Sequence, residues 1–178
     1  MGTPSNVTIG PGELYVAAVG TSEPATATAA IPSSWREVGY TEDGKVVSYE
    51  FTNEAIEVEE EFDPVRYAVT GRRGMVTLQL AEATAANLAL ALNLGATDPG
   101  GDIEPPDPGD ETRVAVLVKR ENGAVWILRK CLQVGTVEIA GKKAPDKSLI
   151  PVEFALEKPD SGAIFTVMRS ITPVAGLI

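Results

Sequence analysis

Residues 47–52 read Val-Ser-Tyr-Glu-Phe-Thr, and this stretch decides the fold class. Its apolar side chains stand at every second position, so the segment is predicted to be a strand with one face buried. The same period of two recurs in Val76–Leu80 and in Ile150–Leu156. Repeated half-buried strands indicate a mainly β protein, and we predict an antiparallel β-sandwich or barrel with one flanking α-helix.

Two dipeptides are typical of chain reversals between strands. Asp43-Gly44 precedes the stretch above, and Asn122-Gly123 separates the strand-like runs Val114–Lys119 and Val125–Leu132. Both pairs favour the left-handed backbone of a tight hairpin, so two hairpin turns are predicted. The other predicted strands are Glu13–Val19, Trp35–Tyr40, Gly135–Ala140 and Ala163–Met168.

The alternation changes phase after the first stretch. Ile56 and Val58 have the opposite parity from Phe51, and a slip of one residue exchanges the two faces of a strand. We therefore predict either a β-bulge near 53–55 or the end of the sheet and the start of a protruding arm. Further on, Gly71-Arg72-Arg73-Gly74 is interpreted as a basic turn bounded by glycines.

One segment, Ala85–Leu94, has a helical apolar pattern. Thr84 is the predicted N-cap, and Gly95 is the predicted left-handed residue at the C-terminus. The segment carries no charge, which is unusual for a short helix on the surface of an acidic domain. Either the helix lies deep in the core, or its outer face, with Leu90 and Leu94, contacts another subunit.

The length of 178 residues fits one domain with a single core. We predict that 1–178 form this domain, with a flexible arm at about 1–12 and a C-terminal extension at about 159–178. No window is apolar enough for a membrane span. Met1–Val7 lacks the basic and apolar regions of a secretory signal, so the chain is expected to fold in the cytoplasm of the cell that makes it.

Charge and histidine content argue against two function classes. The net charge is −10, from 25 acidic and 15 basic residues, whereas tight nucleic-acid binding requires a basic surface. An acidic wall instead repels phosphate, so DNA can pass it without adhering. The chain has no histidine, the commonest general base and metal ligand, and one cysteine. We therefore predict no enzyme activity, no metal and no cofactor.

Three polar segments have a chemical interpretation and a plainer one. The run Glu57–Asp63 offers carboxylates for glycoside hydrolysis, but nothing indicates a pocket that would raise one pKa, so a solvated or subunit-contacting face is favoured. Asp98–Asp110 offers oxygen ligands for calcium, but the spacing differs from an EF-hand, and an exposed loop is favoured. Gly71–Gly74 lacks the lysine and serine of a phosphate-binding P-loop.

Six short segments carry a family resemblance through their order and spacing. They are Glu13–Val19, Trp35–Gly44, Tyr49–Phe51, Phe62–Val65, Thr70–Gly74 and Leu80–Asn93. In this order they resemble the major tail proteins of siphophages, especially those of phages that infect actinobacteria. The match covers about Glu13 to Leu156 and weakens after Gly95.

The resemblance implies a fold, an assembly and a set of partners. Six copies form a ring, the rings stack into the tail tube, and sheets of neighbouring subunits join into one inner barrel. A long loop, here about Asn53–Arg73, reaches toward neighbouring subunits. The tube forms around a tape-measure protein between tail-tip and tail-terminator proteins. It is the conduit for genome delivery, and the implied location is the virion tail.

Charged residues within the implied loop are segregated along the chain. The first half is acidic and the second half is basic, which suits a head-to-tail contact between identical subunits. These candidate contact residues are Glu57, Glu59, Glu60, Glu61, Asp63, Arg66, Arg72 and Arg73.

Other carboxylates are candidates for the wall of the lumen. In 150–156 the even-numbered residues are apolar and are predicted to face the core, which leaves the acidic residues on the opposite surface. The candidate lumen-facing residues are Glu138, Glu153 and Glu157.

Two alternative functions remain at this point. A tube ring of a related secretion or injection machine would have the same fold. A β-sandwich ligand-binding module would need aromatic side chains exposed on one face, whereas most of the aromatic residues here occupy core-like positions.

Overall fold

One curled antiparallel sheet contains every strand in the computed structural model, which describes residues 12–120, 123–138, 141 and 146–169. In chain order the elements are β1 (Glu13–Ala18), β2 (Arg36–Glu37), β3 (Thr41–Ile56), β4 (Arg66–Leu80), α1 (Ala85–Ala91), β5 (Val114–Lys119), β6 (Val125–Gln133), β7 (Ile150–Leu156) and β8 (Phe165–Met168). The hydrogen-bonded order is β2-β1-β5-β6-β7-β4-β3, with β8 also paired to β6. The predicted mainly β, antiparallel fold with one flanking helix is confirmed.

The sheet changes direction at β6, which has different neighbours along its two halves. Val125–Leu128 pairs with β5 on one side and with β8 on the other. Cys131–Gln133 pairs with β7, so β7 and β8 lie end to end along the same edge of β6. The sheet folds over at this point, and its β1-β5 half faces its β7-β4 half.

The main hydrophobic core lies between these halves. Leu14 and Val116 come from one half and Leu78 and Phe154 from the other, and all four are at most 2% exposed. Burying side chains of this size contributes about 1.5–3 kcal/mol each before chain entropy is counted. The predicted core face of β7 is confirmed, since the residues buried in this core or packed against it include Ile150, Val152, Phe154 and Leu156.

A second, smaller core lies on the opposite face of β5 and β6. The loop between β1 and β2 covers it, and the loop residues Ala27 and Trp35 pack against Leu117 and Ile127. Trp35 Nε1 donates to Ser22 O over 2.8 Å, which satisfies the one polar atom of the buried indole. An irregular segment of the sequence thus closes the second face of the sheet.

Asp43-Gly44 does not form the predicted hairpin turn. Both residues have the positive φ that the prediction requires, 57° and 76°. Pairing with β4 nevertheless resumes beyond them, with Glu42 opposite Gln79 and Val46 opposite Thr77. The three residues in between face a single residue of β4 and form a bulge, because left-handed residues fit a bulge as well as a turn.

The predicted phase break near 53–55 is a bulge, but the extra residue lies in β4. Thr52 pairs with Gly71 and Asn53 pairs with Val69, so Thr70 is the inserted residue. The β3 strand itself continues without interruption to Ile56. The sheet therefore extends into the segment that was predicted to be an arm.

The predicted basic turn at Gly71–Gly74 is wrong, because these residues lie inside β4 and pair with Tyr49–Thr52. A side chain at Gly74 would place its Cβ only 2.9 Å from Leu156 Cδ2. Gly74 is therefore explained by the close approach of the β7 side chain that packs over it.

Helix α1 begins where the sequence predicts and ends earlier. The Thr84 side chain accepts a hydrogen bond from Asn87 N over 3.2 Å, which confirms the N-cap. At the other end Asn93 has a φ of 60°, and Leu94 N donates to Ala89 O. This is a Schellman arrangement with asparagine, and not the predicted Gly95, as its left-handed residue.

Leu90 does not lie on an outer face of the helix. It is 1% exposed and belongs to the main core of its own chain, so its predicted role in a subunit contact is wrong. The helix is uncharged because it is buried, which was the other interpretation of its composition. Leu94, beyond the end of the helix, is half-buried.

The strand predicted at Gly135–Ala140 is absent from its described residues, 135–138. Gln133 explains this, because its amide donates to Gly135 O and accepts from Gly135 N, each over 3.0 Å.

Residues 121–122 of the second predicted turn lie outside the described residues, but Gly123 has a φ of 80° and its N–H donates to Arg120 O. Residues 1–11 of the predicted N-terminal arm (1–12) and residues 170–178 of the predicted C-terminal extension (159–178) lie outside them too.

Candidate functional site

The outer part of the β3–β4 hairpin projects from the sheet. We call residues 51–70 the arm, and nearly all of its side chains are exposed. The arm consists of the ends of β3 and β4 and the connection 57–65, which Val65 N closes by donating to Ile56 O over 3.0 Å. At roughly 3.3 Å per residue, the six residues from Phe51 to Ile56 extend about 17 Å.

Apart from Asn53, one face of the arm is apolar. Val69 and Tyr67 pair with Asn53 and Ala55, which have the same parity as Phe51 in the uninterrupted strand β3. The bulge at Thr70 therefore turns the odd-numbered residues of outer β4 to the face that continues the core. The exposed members of this apolar stripe are Phe51 at 54%, Val65 at 61%, Tyr67 at 66% and Val69 at 51%.

The eight predicted contact residues all belong to the β3–β4 hairpin and are all exposed. The five acidic ones lie in the connection at its tip, Arg66 begins β4, and Arg72 and Arg73 lie just below the arm. Arg72 stands over the Phe51 ring, 5.9 Å from its centroid, and Arg73 is opposite Glu50 in the pairing. None of the eight makes an ion pair with another described residue. Their charges are therefore available to a second molecule.

The three candidate lumen carboxylates differ in their surroundings. Glu138 is exposed, and Glu153 is half-buried on the face of β7 opposite the core, across from Thr77. Glu157 accepts from Arg113 Nε over 3.3 Å and lies 4.0 Å from Lys130 Nζ. Its charge is thus compensated within the chain, whereas Glu138 and Glu153 form no ion pair in the part of the chain that the structure describes.

The segments with a chemical interpretation form no enclosed site. All residues of the acidic run 57–63 are exposed. Asp98 Oδ1 accepts from Gly100 N over 2.8 Å, which is a local loop contact. Within the described ranges no three histidine, cysteine, aspartate or glutamate side chains lie close enough to hold a metal ion.

A cleft that the sequence does not indicate lies at the other end of the β3–β4 hairpin. We call it the base cleft. It has a volume of about 600 Å³, and its lining includes Arg36, Tyr40, Lys45 and Glu82. Lys45 Nζ donates to Gly12 O. Burial lowers the pKa of both Arg36 and Lys45, because their charged forms lose contact with water.

Arg36 is held by neutral oxygens. Its Nε donates to Ala96 O over 2.5 Å, its Nη1 to Asn87 Oδ1 over 2.9 Å and its Nη2 to Ala86 O over 3.3 Å. These acceptors come 50 to 60 residues later in the chain. No short-range pattern in the sequence could therefore have indicated how Arg36 is held.

The fold is thus a curled antiparallel sheet with a long, exposed and charged hairpin. The sequence matches the model of the family described as phage tail tube protein over residues 3–156. The chain belongs to this family, and it is a structural component of a phage tail tube.

Other comparisons add only the fold. None of the curated proteins compared with the chain matches it. Among solved structures, a chain of the cryo-EM structure of the anti-feeding prophage baseplate, six-fold symmetrised, is similar with a TM-score of 0.50. The two sequences are 12% identical, and the match covers 95% of this chain and 98% of the other. Among the described residues, no helix is long and apolar enough to cross a membrane.

Proposed function

We propose that the protein forms hexameric rings that stack into the tail tube of a siphophage, the conduit for genome delivery into the host. The observation that carries this proposal is the arm, whose apolar stripe and uncompensated charges require another molecule to cover them. The similar baseplate structure is described as six-fold symmetrised, and we propose the same symmetry for this ring. The protein acts as a structural subunit without catalysis or cofactor.

The free edge of β3 supports joining between subunits within a ring. Among the described strands β3 pairs with β4 alone, so the other side of this 16-residue strand is unpaired. A long unpaired edge is a template for pairing with another chain. Six such junctions would close the sheets into one inner barrel.

Charges on the arm support contact between copies as well. The acidic tip of one copy meets Arg66, Arg72 and Arg73 of another in a head-to-tail contact that does not close on itself. Each exposed ion pair contributes about 0–1 kcal/mol, so the pairs set register and the apolar stripe supplies most of the affinity.

Acidic side chains on the sheet surface support passage of DNA. We propose that Glu138 and Glu153 line the lumen, where negative charge prevents phosphate from adhering. Glu157 contributes less, because Arg113 and Lys130 compensate its charge. The partners in assembly are a tape-measure protein, a tail-tip complex and a terminator, and the tube is part of the virion.

Electron microscopy of the purified full-length protein tests the proposal. Hollow tubes built of six-fold rings are expected, together with no duplex DNA binding at micromolar concentration and physiological salt. A protein that stays monomeric under all conditions, or that binds one ligand in a pocket, would contradict it. A tube ring of a related injection machine would also polymerise, but the family match favours the phage tube.

A further inference from the structure

We infer that Phe165 of strand β8 is a positioning residue for the arm and fixes the angle at which the arm leaves the sheet. Its ring contacts Tyr49, which pairs with Gly74, and we call this pair the root of the arm. The inference rests on the proposed function, because it assigns the regulation of the element through which copies are joined.

Support from neighbouring strands ends at the root. Pairing between β4 and β7 ends with Met75 opposite Ala155. Beyond this point, among the described strands, β3 and β4 pair only with each other. A two-stranded ribbon without other support is only marginally stable, so its direction depends on contacts made at its root.

Small changes at the root have large effects at the tip. At roughly 3.3 Å per residue, Ile56 lies about 23 Å beyond Tyr49, so a tilt of about 10° at the root displaces it by about 4 Å. This displacement exceeds the rise of one residue along a strand, and a slip of one residue exchanges the two faces of a strand. Contacts of the arm with another copy therefore require a fixed angle.

Phe165 lies between two other aromatic rings. Its centroid is 5.2 Å from that of Tyr49, with the ring planes at 70°, and 6.0 Å from that of Trp126, with the planes at 16°. Edge-on and stacked arrangements at these distances are both favourable. Trp126 and Phe165 also pack against the main core. Phe165 therefore links the root to strand β6.

The row of rings continues onto the arm itself. Tyr49 and Phe51 are 5.1 Å apart with their planes at 89°, and the guanidinium of Arg72 lies 5.9 Å from the Phe51 centroid. Aromatic side chains have only two rotatable χ angles, so a row of them holds its position at a low cost in entropy. The row thus reaches from β6 through β8 to the first residue of the arm.

Strand β8 is fixed firmly enough to support the arm. It pairs with β6 from Phe165 to Met168. Arg129 Nη1 donates to Ala163 O over 2.6 Å, and its Nη2 donates to Thr166 Oγ1 over 2.9 Å. The same guanidinium donates to Glu23 of the loop between β1 and β2, over 2.5 and 3.0 Å. The position of Phe165 is therefore tied to β6 and to that loop.

Met168 offers a matched comparison on the same strand. Its side chain packs against the second core, on the opposite face of β8 from the main core against which Phe165 packs. Truncating Met168 therefore weakens the docking of β8 without removing the contact with Tyr49. A general loss of stability in β8 can thus be separated from a loss of the Phe165 contact.

Pulsed electron paramagnetic resonance of the full-length monomer tests the inference. Nitroxide labels are attached at Glu59→Cys on the arm and Glu37→Cys on the body, both exposed positions, while the native Cys131 is fully buried. Phe165→Ala should widen the distribution of distances between the labels at least about twofold, because the ribbon loses its support. Met168→Ala and the conservative Phe165→Tyr should keep the wild-type width. An unchanged width in Phe165→Ala, or equal widening in Met168→Ala, would overturn the inference.

Phe165→Leu keeps the inference testable if the alanine variant does not fold. Leucine still fills the space beside the main core but removes the ring contacts, so the distribution should widen here too. Combining it with Tyr49→Leu should add no further widening, since both changes remove the same contact. Additive widening would show that the two rings act separately and would contradict the inference.

Tube growth provides the second readout. Phe165→Leu should slow growth at least about fivefold, because a mobile arm loses more conformational freedom when it binds, and Phe165→Tyr should restore it. A mobile arm with normal growth would show that the contact does not position the arm for assembly. Failure of the wild type to form tubes would refute the proposed function, whereas the distances in the monomer would still decide whether Phe165 fixes the arm.

Discussion

Asn87 Oδ1 accepts a hydrogen bond from Arg36 Nη1 over 2.9 Å, and this contact joins helix α1 to strand β2 across 51 residues of sequence. The same amide donates through Nδ2 to Val38 O and Glu82 O, at 2.9 and 3.0 Å. Asn87 is fully buried, and its two amide hydrogens and its oxygen all have hydrogen-bond partners within the fold. It therefore fixes the helix and the wall of the base cleft together.

Replacing Asn87 with leucine should lower the free energy of unfolding by about 3 kcal/mol. The reason is that Val38 O, Glu82 O and one Arg36 donor lose their partner in a buried site, where each unsatisfied group costs about 1–3 kcal/mol. Urea unfolding of the monomer, followed by circular dichroism, measures the change. The exposed Asn53→Leu serves as control and should stay within about 0.5 kcal/mol of wild type. Equal stability of both variants would show that the Asn87 network contributes nothing.

Gly39→Ala should destabilise the protein by more than about 1 kcal/mol. Gly39 has a φ of 90°, and an added Cβ would lie 2.5 Å from Glu82 Oε1. The strain comes mainly from the backbone, so removing the Glu82 side chain as well should not restore stability. Thermal unfolding of Gly101→Ala provides the comparison, because a Cβ there meets nothing within 4 Å. A Gly39 variant as stable as the Gly101 variant would contradict this account.

The residues that alternate on strands could be predicted from the sequence, and the bulges could not be placed. The period of two identified the core face of β7, because alternate side chains of that strand face the core and are apolar for that reason alone. Asp43-Gly44 has the same left-handed preference in a turn and in a bulge, so only pairing with β4 decides between them. Gly71–Gly74 was misassigned as a turn, because the glycine at position 74 is explained by packing of the Leu156 side chain, which is remote in sequence.

The candidate site was predicted in outline. Local charge segregation located the arm, whose residues are neighbours in sequence. Its apolar stripe depends on the single inserted residue Thr70, which reverses the parity of β4. The base cleft joins residues from β2, β3 and the segment before α1, and no local pattern brings these together. The uncharged helix was correctly singled out, but its composition could not tell burial in its own chain from burial against a neighbour.

Leu90→Ala should reduce the stability of the monomer by about 2–4 kcal/mol and act on assembly only through folding. Leu90 is 1% exposed within the main core, and truncation of a buried leucine leaves a cavity. Chemical denaturation gives the stability. Phe62→Ala is the matched truncation at an exposed position and should leave it unchanged. If Leu90→Ala were as stable as wild type and only tube growth were lost, the helix would have to be reassigned to a subunit contact.

Stability should fall in alkaline solution because of Cys131. Burial raises the pKa of its thiol from the ordinary 9.0 to about 12. The unfolded chain therefore loses this proton first, so the contribution is full below about pH 9 and is lost as the pH rises toward 12. Urea unfolding between about pH 8 and pH 11 should show a shallower decline for Cys131→Val than for wild type. Parallel declines would mean that other groups, such as Tyr15, whose pKa is also raised to about 12, account for the loss.

Arg72→Glu combined with Arg73→Glu should leave the monomer folded and impair tube growth. Both side chains are exposed on β4 just below the arm, and neither forms an ion pair with a described residue, so reversing their charge removes no carboxylate partner inside the chain. The two substitutions change the local charge by four units. In the tube they would place two carboxylates against the acidic tip of a neighbouring copy, and this repulsion would be repeated in every ring. Raised salt should slow wild-type growth in the same direction, because it screens exposed pairs. Tube length by electron microscopy, beside circular dichroism of the monomer, measures both effects.

The matched control is Lys158→Glu combined with Arg169→Glu. It changes the net charge equally at exposed positions away from the arm and should polymerise normally. If the arm variant polymerised as well as this control, the charges of the arm would have no part in assembly.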